Sequence, residues 1–276
     1  MMERGIPTDK YGVLEQKEVF DINDEALENF RRCGYTIFDA GKSKREVDEV
    51  KVEFDELLKR YQTIIGVEKL KLCNEHNTIR AVLLFDINRV FLNIALNPVL
   101  IKFVEKIIKG RFILNQQNGI INPARESYNQ GKWHRDLPYQ HFVTTSPIAI
   151  NALYCVDDFT VENGATYILP SSHLHEEMPS LNYIKNNAIQ ISAKAGQYVL
   201  IDSMTFHCGG FNGTLYPRRA INHVFTIPFL KQQIKIPGNI YEESLSCQER
   251  GILGFGLEEI QSVDDYIRQR LQRISV

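Results

Sequence analysis

With 276 residues, 43% hydrophobic and 24% charged, the chain has the composition of a folded protein that can bury a core without cross-links. Its formal net charge of −2 supplies no general attraction to nucleic acid or to an anionic membrane, and no stretch approaches the ~18 apolar residues of a membrane span. Five scattered cysteines without a C-x-x-C pair, together with a charged start (MMERGIPTDK) lacking an apolar signal region, lead us to expect free thiols and a cytoplasmic protein.

Residues 1–22 carry no periodicity and read as an N-terminal extension. Asn23 or Asp24 is the expected cap of a helix through EALENFRRC that Gly34 stops, and residues 35–40 read as a short strand. Ser43 caps a second helix, KREVDEVKVEFDELLKRYQ, in which Val47, Val50, Phe54, Leu57 and Leu58 recur at helical spacing above a solvated charged face. The stretch 62–78 has no clear signal, and His76 within it reads as a surface residue. Residues 88–109 read as two helices broken near Pro98 and ended by Gly110. The segment 23–110 is therefore expected to form a helical layer.

From Arg111 the pattern changes to short strands. In RFILNQQNGIIN, strand alternation places Gln116, Asn118 and Asn122 on one face, lining either a pocket or an exposed surface. The loop PARESYNQGK leads into GKWHRDLPYQH, and SPIAINALYCVDD, GATYILPSSH, AGQYVLIDSMTFHCGG and PRRAINHVFTIPF follow as further strands. Short strands separated by Gly, Pro and Asn turns make 111–230 an antiparallel sandwich or jelly roll, so the expected class is mainly β with helices (α+β), the helices packed on one sheet. After Leu230 the chain turns polar, with a closing helix over 262–274 packed on the outside or against a partner chain, so a monomer or a homodimer is expected. One domain over 1–276 is the expected organisation, with 231–276 as a C-terminal extension.

The chemistry is carried by GKWHRDLPYQH. His134 and Asp136 lie two residues apart, so on an extended strand they leave the same face and can converge on one ion. His-x-Asp alone is common by chance. His207, placed where an apolar strand gives way to a Gly-rich turn, is the candidate third ligand. Two imidazoles and a carboxylate form the facial triad of non-haem Fe(II) oxygenases. Eleven residues beyond His207, Arg218 offers a planar guanidinium suited to a carboxylate.

His134-x-Asp136, His207 and Arg218 at this spacing, with GATYILPSSH between them, resemble the phytanoyl-CoA dioxygenase family of Fe(II)/2-oxoglutarate oxygenases over roughly residues 23–230. The resemblance implies a double-stranded β-helix (jelly roll, cupin-like), Fe(II) on His134, Asp136 and His207, and O2 and 2-oxoglutarate as co-substrates, with Arg218 on the distal carboxylate. It also implies cofactor contacts from Asn151 and Asn122. Gln116, Asn118 and His141 are candidate substrate contacts. Arg219, Trp133 and Arg135 are expected to face away from the site, His173 to hold a turn, and His223 to be packed or exposed. Family members show Pro-Gly-Ser-His where this chain has Ser171 in the glycine's place. Halogenating relatives replace the carboxylate ligand; Asp136 is retained here, which favours hydroxylation or another two-electron oxidation of a C–H bond, with 2-oxoglutarate converted to succinate and CO2. The expected substrate is a small hydrophilic metabolite. The alternatives are a cupin-like isomerase or hydrolase using Zn²⁺ or Mn²⁺, for which Arg218 would have no purpose, and a silent binding protein of the same fold.

Overall fold

The computed structural model describes residues 7, 9–14, 22–137 and 143–274. Helix α1 (Ile22–Cys33) is already helical at Ile22, so Asn23 and Asp24 fall inside its first turn rather than capping it. Gly34 ends it as expected: at φ +78° its N–H donates to Phe30 O at 2.8 Å, and the chain turns straight into β1 (Tyr35–Asp39). Ser43 closes a capping box on α2 (Lys44–Ile65): its hydroxyl accepts from Glu46 N, and Glu46 Oε2 accepts from Ser43 N at 2.9 Å. Val47, Val50, Phe54, Leu57 and Tyr61 form the buried stripe of α2.

The stretch without a clear signal holds α3 (Val67–Leu72) and β2 (Thr78–Ile79), and His76 is half-buried there rather than on the surface. Next come α4 (Val90–Ala95) and α5 (Pro98–Ile107), broken where expected, with Asn97 Oδ1 accepting from Val99 N at 2.9 Å and Pro98 as first helical residue. The remaining elements are β3 (Ile113–Asn122), β4 (Ala149–Cys155), β5 (Tyr167–Ile168), α6 (Leu181–Asn187), β6 (Ile189–Gln190), β7 (Gln197–Asp202), β8 (His207–Cys208), β9 (Arg218–Thr226), α7 (Cys247–Ile252) and α8 (Val263–Ile274). Elements of two to seven residues, such as α6, α7 and β6, are too short for periodicity to show them in the sequence.

All strand pairs are antiparallel, in a large sheet ordered β1-β7-β4-β9-β3-β2 and a small one ordered β6-β5-β8. Strand alternation gives the large sheet two working faces. Ile150, Ala152, Tyr154, Tyr198, Leu200, Ile221 and Phe225 join Phe54, Leu57, Phe91, Leu100 and Val104 in the core beneath the helices. Cys155, Val199, Ile201 and Ala220 face the other way, onto Ala165, Ile168, Ile191 and Ala193 of the second layer. This is the double-stranded β-helix with helices on one sheet, as the resemblance implies. Helix α8 lies on the outside with Tyr266, Ile267 and Leu271 about half exposed. Among the described residues no helix is long and apolar enough to cross a membrane.

Ser171, in the family's glycine position, takes a left-handed backbone at φ +61° and is held there by its N–H on Cys33 O at 2.8 Å and its hydroxyl on Arg32 O at 2.9 Å. That turn and Gly34 meet, since a Cβ on Gly34 would strike Thr205 Oγ1 and His173 Nδ1. His173 thus holds a packed turn, as expected. Gly34→Ala should therefore destabilise the protein by about 3 kcal/mol, combining left-handed strain with overpacking, as read by urea unfolding; an unchanged midpoint would show that this junction yields freely.

Candidate metal centre

Two backbone hydrogen bonds bring the ligand candidates together. His134 N donates to His207 O at 3.0 Å and His207 N to His134 O at 3.1 Å, an antiparallel bridge that adds His134 beside β8. Both imidazoles leave this bridge on the same side, with ring centroids 4.4 Å apart. Each ring is oriented by a carbonyl two residues upstream, His134 Nδ1 on Lys132 O at 2.7 Å and His207 Nδ1 on Thr205 O at 2.9 Å. With Nδ1–H donating, Nε2 is the inward-facing nitrogen of each ring and carries a free lone pair whenever the ring is neutral. The two Nε2 atoms face Asp136 Oδ1 at 3.3 and 3.7 Å, and all three ligand atoms lie within 4.8 Å of one another.

Three acceptors pointed at one another in a buried space repel unless a proton or metal cation lies between them. The donor set, two imidazoles and a carboxylate oxygen, suits Fe(II). Burial lowers the His207 pKa, which keeps that ring neutral. Burial also opposes ionisation of Asp136, but the two histidines and the Asn222 amide outweigh it and hold the carboxyl below the usual range. At His134 burial pulls the pKa down, yet the contact with Asp136 prevails and raises it.

The other carboxylate oxygen is occupied. Asp136 Oδ2 accepts from Asn222 Nδ2 at 3.0 Å and from Asn151 Nδ2, and Asn151 Oδ1 in turn accepts from Ser203 Oγ at 2.7 Å. Asn151 therefore lines the cavity as expected, although its amide is engaged with Asp136. Arg218 lines the same cavity, 3% exposed, with Nε on Asn163 O at 3.3 Å, Nη2 on Gly164 O at 3.0 Å and its guanidinium stacked 3.9 Å from the Phe159 ring centroid. Tyr128 joins it from the loop after β3, its hydroxyl lodged where a Cβ on Gly209 would sit. Ile120, Leu153, Ile201 and Ala220 form an apolar wall of the cavity.

Several expectations need correction. Asn122 stands opposite Arg218 in the ladder but does not line the cavity, because its Nδ2 ties Gly164 O at 3.1 Å to Gly210 O at 2.9 Å. It holds in place the carbonyl on which Arg218 rests. Gln116 and Asn118 share the expected face but line a separate small cavity with Gln233. Asn118 is engaged at both ends, Oδ1 accepting from Ala81 N at 3.1 Å and Nδ2 donating to Gln116 Oε1 at 2.9 Å. His141 lies outside the described residues. Arg219 faces the helices and pairs with Asp157 at 2.8 Å and Asp55 at 2.7 Å, as alternation requires. His223 is fully buried, its pKa lowered by burial to about 4. Asn222 and Tyr128 also line the cavity, though neither is among the candidates expected from the sequence. Asn222 is legible in hindsight, four residues after Arg218 and thus on the same strand face. Tyr128 comes from a loop and left no signal.

Between the two motif ligands, Arg135 points the other way, as expected, and is 1% exposed. Its Nε donates to Met204 O at 2.6 Å, Nη1 to Glu176 O at 3.0 Å, and Nη2 to Ser172 O at 3.0 Å and to His175 O; the guanidinium stacks 3.9 Å from the Phe206 ring. It fastens the His134–Asp136 strand to the segment that carries His207. Arg135→Met should cost about 3 kcal/mol or more in urea unfolding and weaken Fe(II) binding with it, since four carbonyls lose a charged donor; intact Fe(II) affinity would show that the two segments hold register without the clamp.

Comparisons with known proteins give the family and the fold. The chain is 27% identical over 261 residues to the uncharacterized protein Rv1501 of Mycobacterium tuberculosis, covering 91% of this chain and 93% of that one. In fold it is similar to the crystal structure of EctD from S. alaskensis with 2-oxoglutarate and 5-hydroxyectoine, at TM-score 0.63 and 18% identity over 74% of this chain and 76% of that one. It is also similar to the epimerase SnoN in complex with Fe3+, alpha ketoglutarate and nogalamycin RO, at TM-score 0.59 and 18% identity over 80% and 92% of the two chains. The family model for phytanoyl-CoA dioxygenase (PhyH) matches residues 30–220, most of the chain, and the protein therefore belongs to the phytanoyl-CoA dioxygenase family of Fe(II)/2-oxoglutarate-dependent oxygenases.

Proposed function

We propose that this oxygenase hydroxylates, or otherwise oxidises by two electrons, a C–H bond of a small hydrophilic metabolite. In this reading His134, Asp136 and His207 hold the iron, and Arg218 binds the distal carboxylate of 2-oxoglutarate. The observation that carries it is the convergence of two imidazole Nε2 atoms and one carboxylate oxygen within 4.8 Å, in the same cavity as a buried guanidinium. Iron held by these three residues would supply the oxidative chemistry with O2 that no side chain here can perform.

The chain's own residues bind, orient and exclude water. Arg218 is stripped of solvent and held by two carbonyls and the Phe159 ring, so its fork is fixed before a carboxylate arrives. The apolar wall suits the methylene groups of an oxo diacid and keeps water from the space between Arg218 and the triad. A buried cation placed there supports the oxygenase reading over a non-oxidative metal enzyme, which has no use for it. The retained Asp136 supports C–H oxidation over halogenation. We further propose that the chain works as one oxygenase unit in the cytoplasm; its five cysteines are all free, which fits a reducing compartment.

Arg218→Ala should raise the 2-oxoglutarate KM by about 100-fold, through loss of a buried charge pair, whereas Arg219→Ala should leave it unchanged. Succinate release measures both, and equal effects would refute the assignment. Fe(II) affinity should also depend on pH. A proton on His134 Nε2 competes with the metal, and its pKa is raised above the ordinary 6.5. Binding should therefore be complete at pH ~8 and weaken as the pH falls towards ~6, in anaerobic titrations; an affinity that does not change over this range would remove His134 from the ligand set.

A further inference from the structure

Asn151 and Asn222 stand on adjacent central strands, β4 and β9, where Asn151 is opposite Val224 and Leu153 is opposite Asn222. The two amides are thus diagonal neighbours on one face of the sheet, and both donate to the same atom, Asp136 Oδ2. A carboxylate oxygen has two lone pairs in its plane, and two N–H donors fill them. Only Oδ1 remains, and Oδ1 is the oxygen that faces both Nε2 atoms.

We propose that Asn151 and Asn222 are positioning residues that restrict Asp136 to ligation through one oxygen, and so keep open the sites at which 2-oxoglutarate chelates the iron. This inference rests on the oxygenase reading above. An unbraced carboxylate can rotate and offer both oxygens to the metal. The second oxygen would take a position that the oxo acid needs. Ser203 completes the device: its hydroxyl donates to Asn151 Oδ1 at 2.7 Å, and its carbonyl accepts from Asp136 N at 3.2 Å. One buried serine therefore fixes both the backbone of Asp136 and the amide that braces its side chain. The orientation of each amide follows from chemistry, because an ionised carboxylate accepts and never donates. It follows that Asn151 acts on the co-substrate through Asp136.

The test compares wild type, Asn151→Leu, Asn222→Leu and the double variant, loaded anaerobically with Fe(II) and then titrated with 2-oxoglutarate. The readouts are Fe(II) affinity and the visible charge-transfer band that develops when the oxo acid chelates the iron. Each single variant should still bind Fe(II), about tenfold more weakly at most, and when saturated with Fe(II) should need about tenfold more 2-oxoglutarate to develop the band, the effect of one charge-assisted hydrogen bond. The double variant should hold iron and give no band. A merely structural role would lower the stability of the apoprotein and leave the band of the folded fraction unchanged. The inference is overturned if the variants form the band at wild-type 2-oxoglutarate concentration, or if they lose iron altogether. Should the double variant not fold, the two single variants decide the matter by the same criteria. Absence of the band in wild type would instead refute the oxygenase reading itself.

Discussion

The antiparallel bridge between His134 and His207 is the contact on which the site depends. Two backbone hydrogen bonds of 3.0 and 3.1 Å bring together residues more than seventy positions apart in the chain and send both imidazoles to the same side. Once they are paired, strand alternation delivers Asp136 to the same place and turns Arg135 away. The carbonyls of Lys132 and Thr205 then hold both Nδ1 atoms, so that Nε2 of each ring faces inward. Backbone geometry alone thus creates a concentration of acceptors that only a cation or a proton relieves.

Three arginines show how burial and partners separate residues of one type. Arg135 is surrounded by carbonyls and stacked on Phe206, and it serves as a clamp. Arg219 is neutralised by Asp157 and Asp55 and ties the large sheet to α2. Arg218 is nearly as buried as Arg135 but is held by two carbonyls, a phenol and a ring, none of which carries a full negative charge. Among the described residues no carboxylate pairs directly with Arg218, and a desolvated cation so placed is costly. The resulting field favours an anion, which supports the role proposed for Arg218 on the distal carboxylate of 2-oxoglutarate.

The backbone around the cavity leaves little room for change. Gly164 O receives Arg218, Asn122 and Gly210 N, so one carbonyl links the anchor to the turn that follows β8. Gly209 leaves space for the Tyr128 hydroxyl, which reaches Arg218 from a loop. Both ends of the site, the candidate metal ligands and the proposed carboxylate anchor, therefore rest on the same short segment after His207.

The fold class and the helical layer were legible because their elements are long enough to show a period: α2 repeats its apolar stripe, Pro98 marks the break between two helices, and β9 alternates Arg218 from Arg219. The His134-x-Asp136 pair, His207 and Arg218 were legible because a two-residue strand repeat and a fixed offset survive in the linear chain. The fate of the polar residues on β3 was not. Gln116, Asn118 and Asn122 do share a face, but which of them meets the cavity depends on where Gln233, Ala81 and the Gly164 and Gly210 carbonyls arrive, and these come from distant segments. The sequence by itself determined which side chains leave which face of a strand, because alternation is a local property of the backbone. Only the tertiary structure decided which of those side chains were left free to act, because a hydrogen-bonding group is committed by whatever partner the folded chain brings within reach.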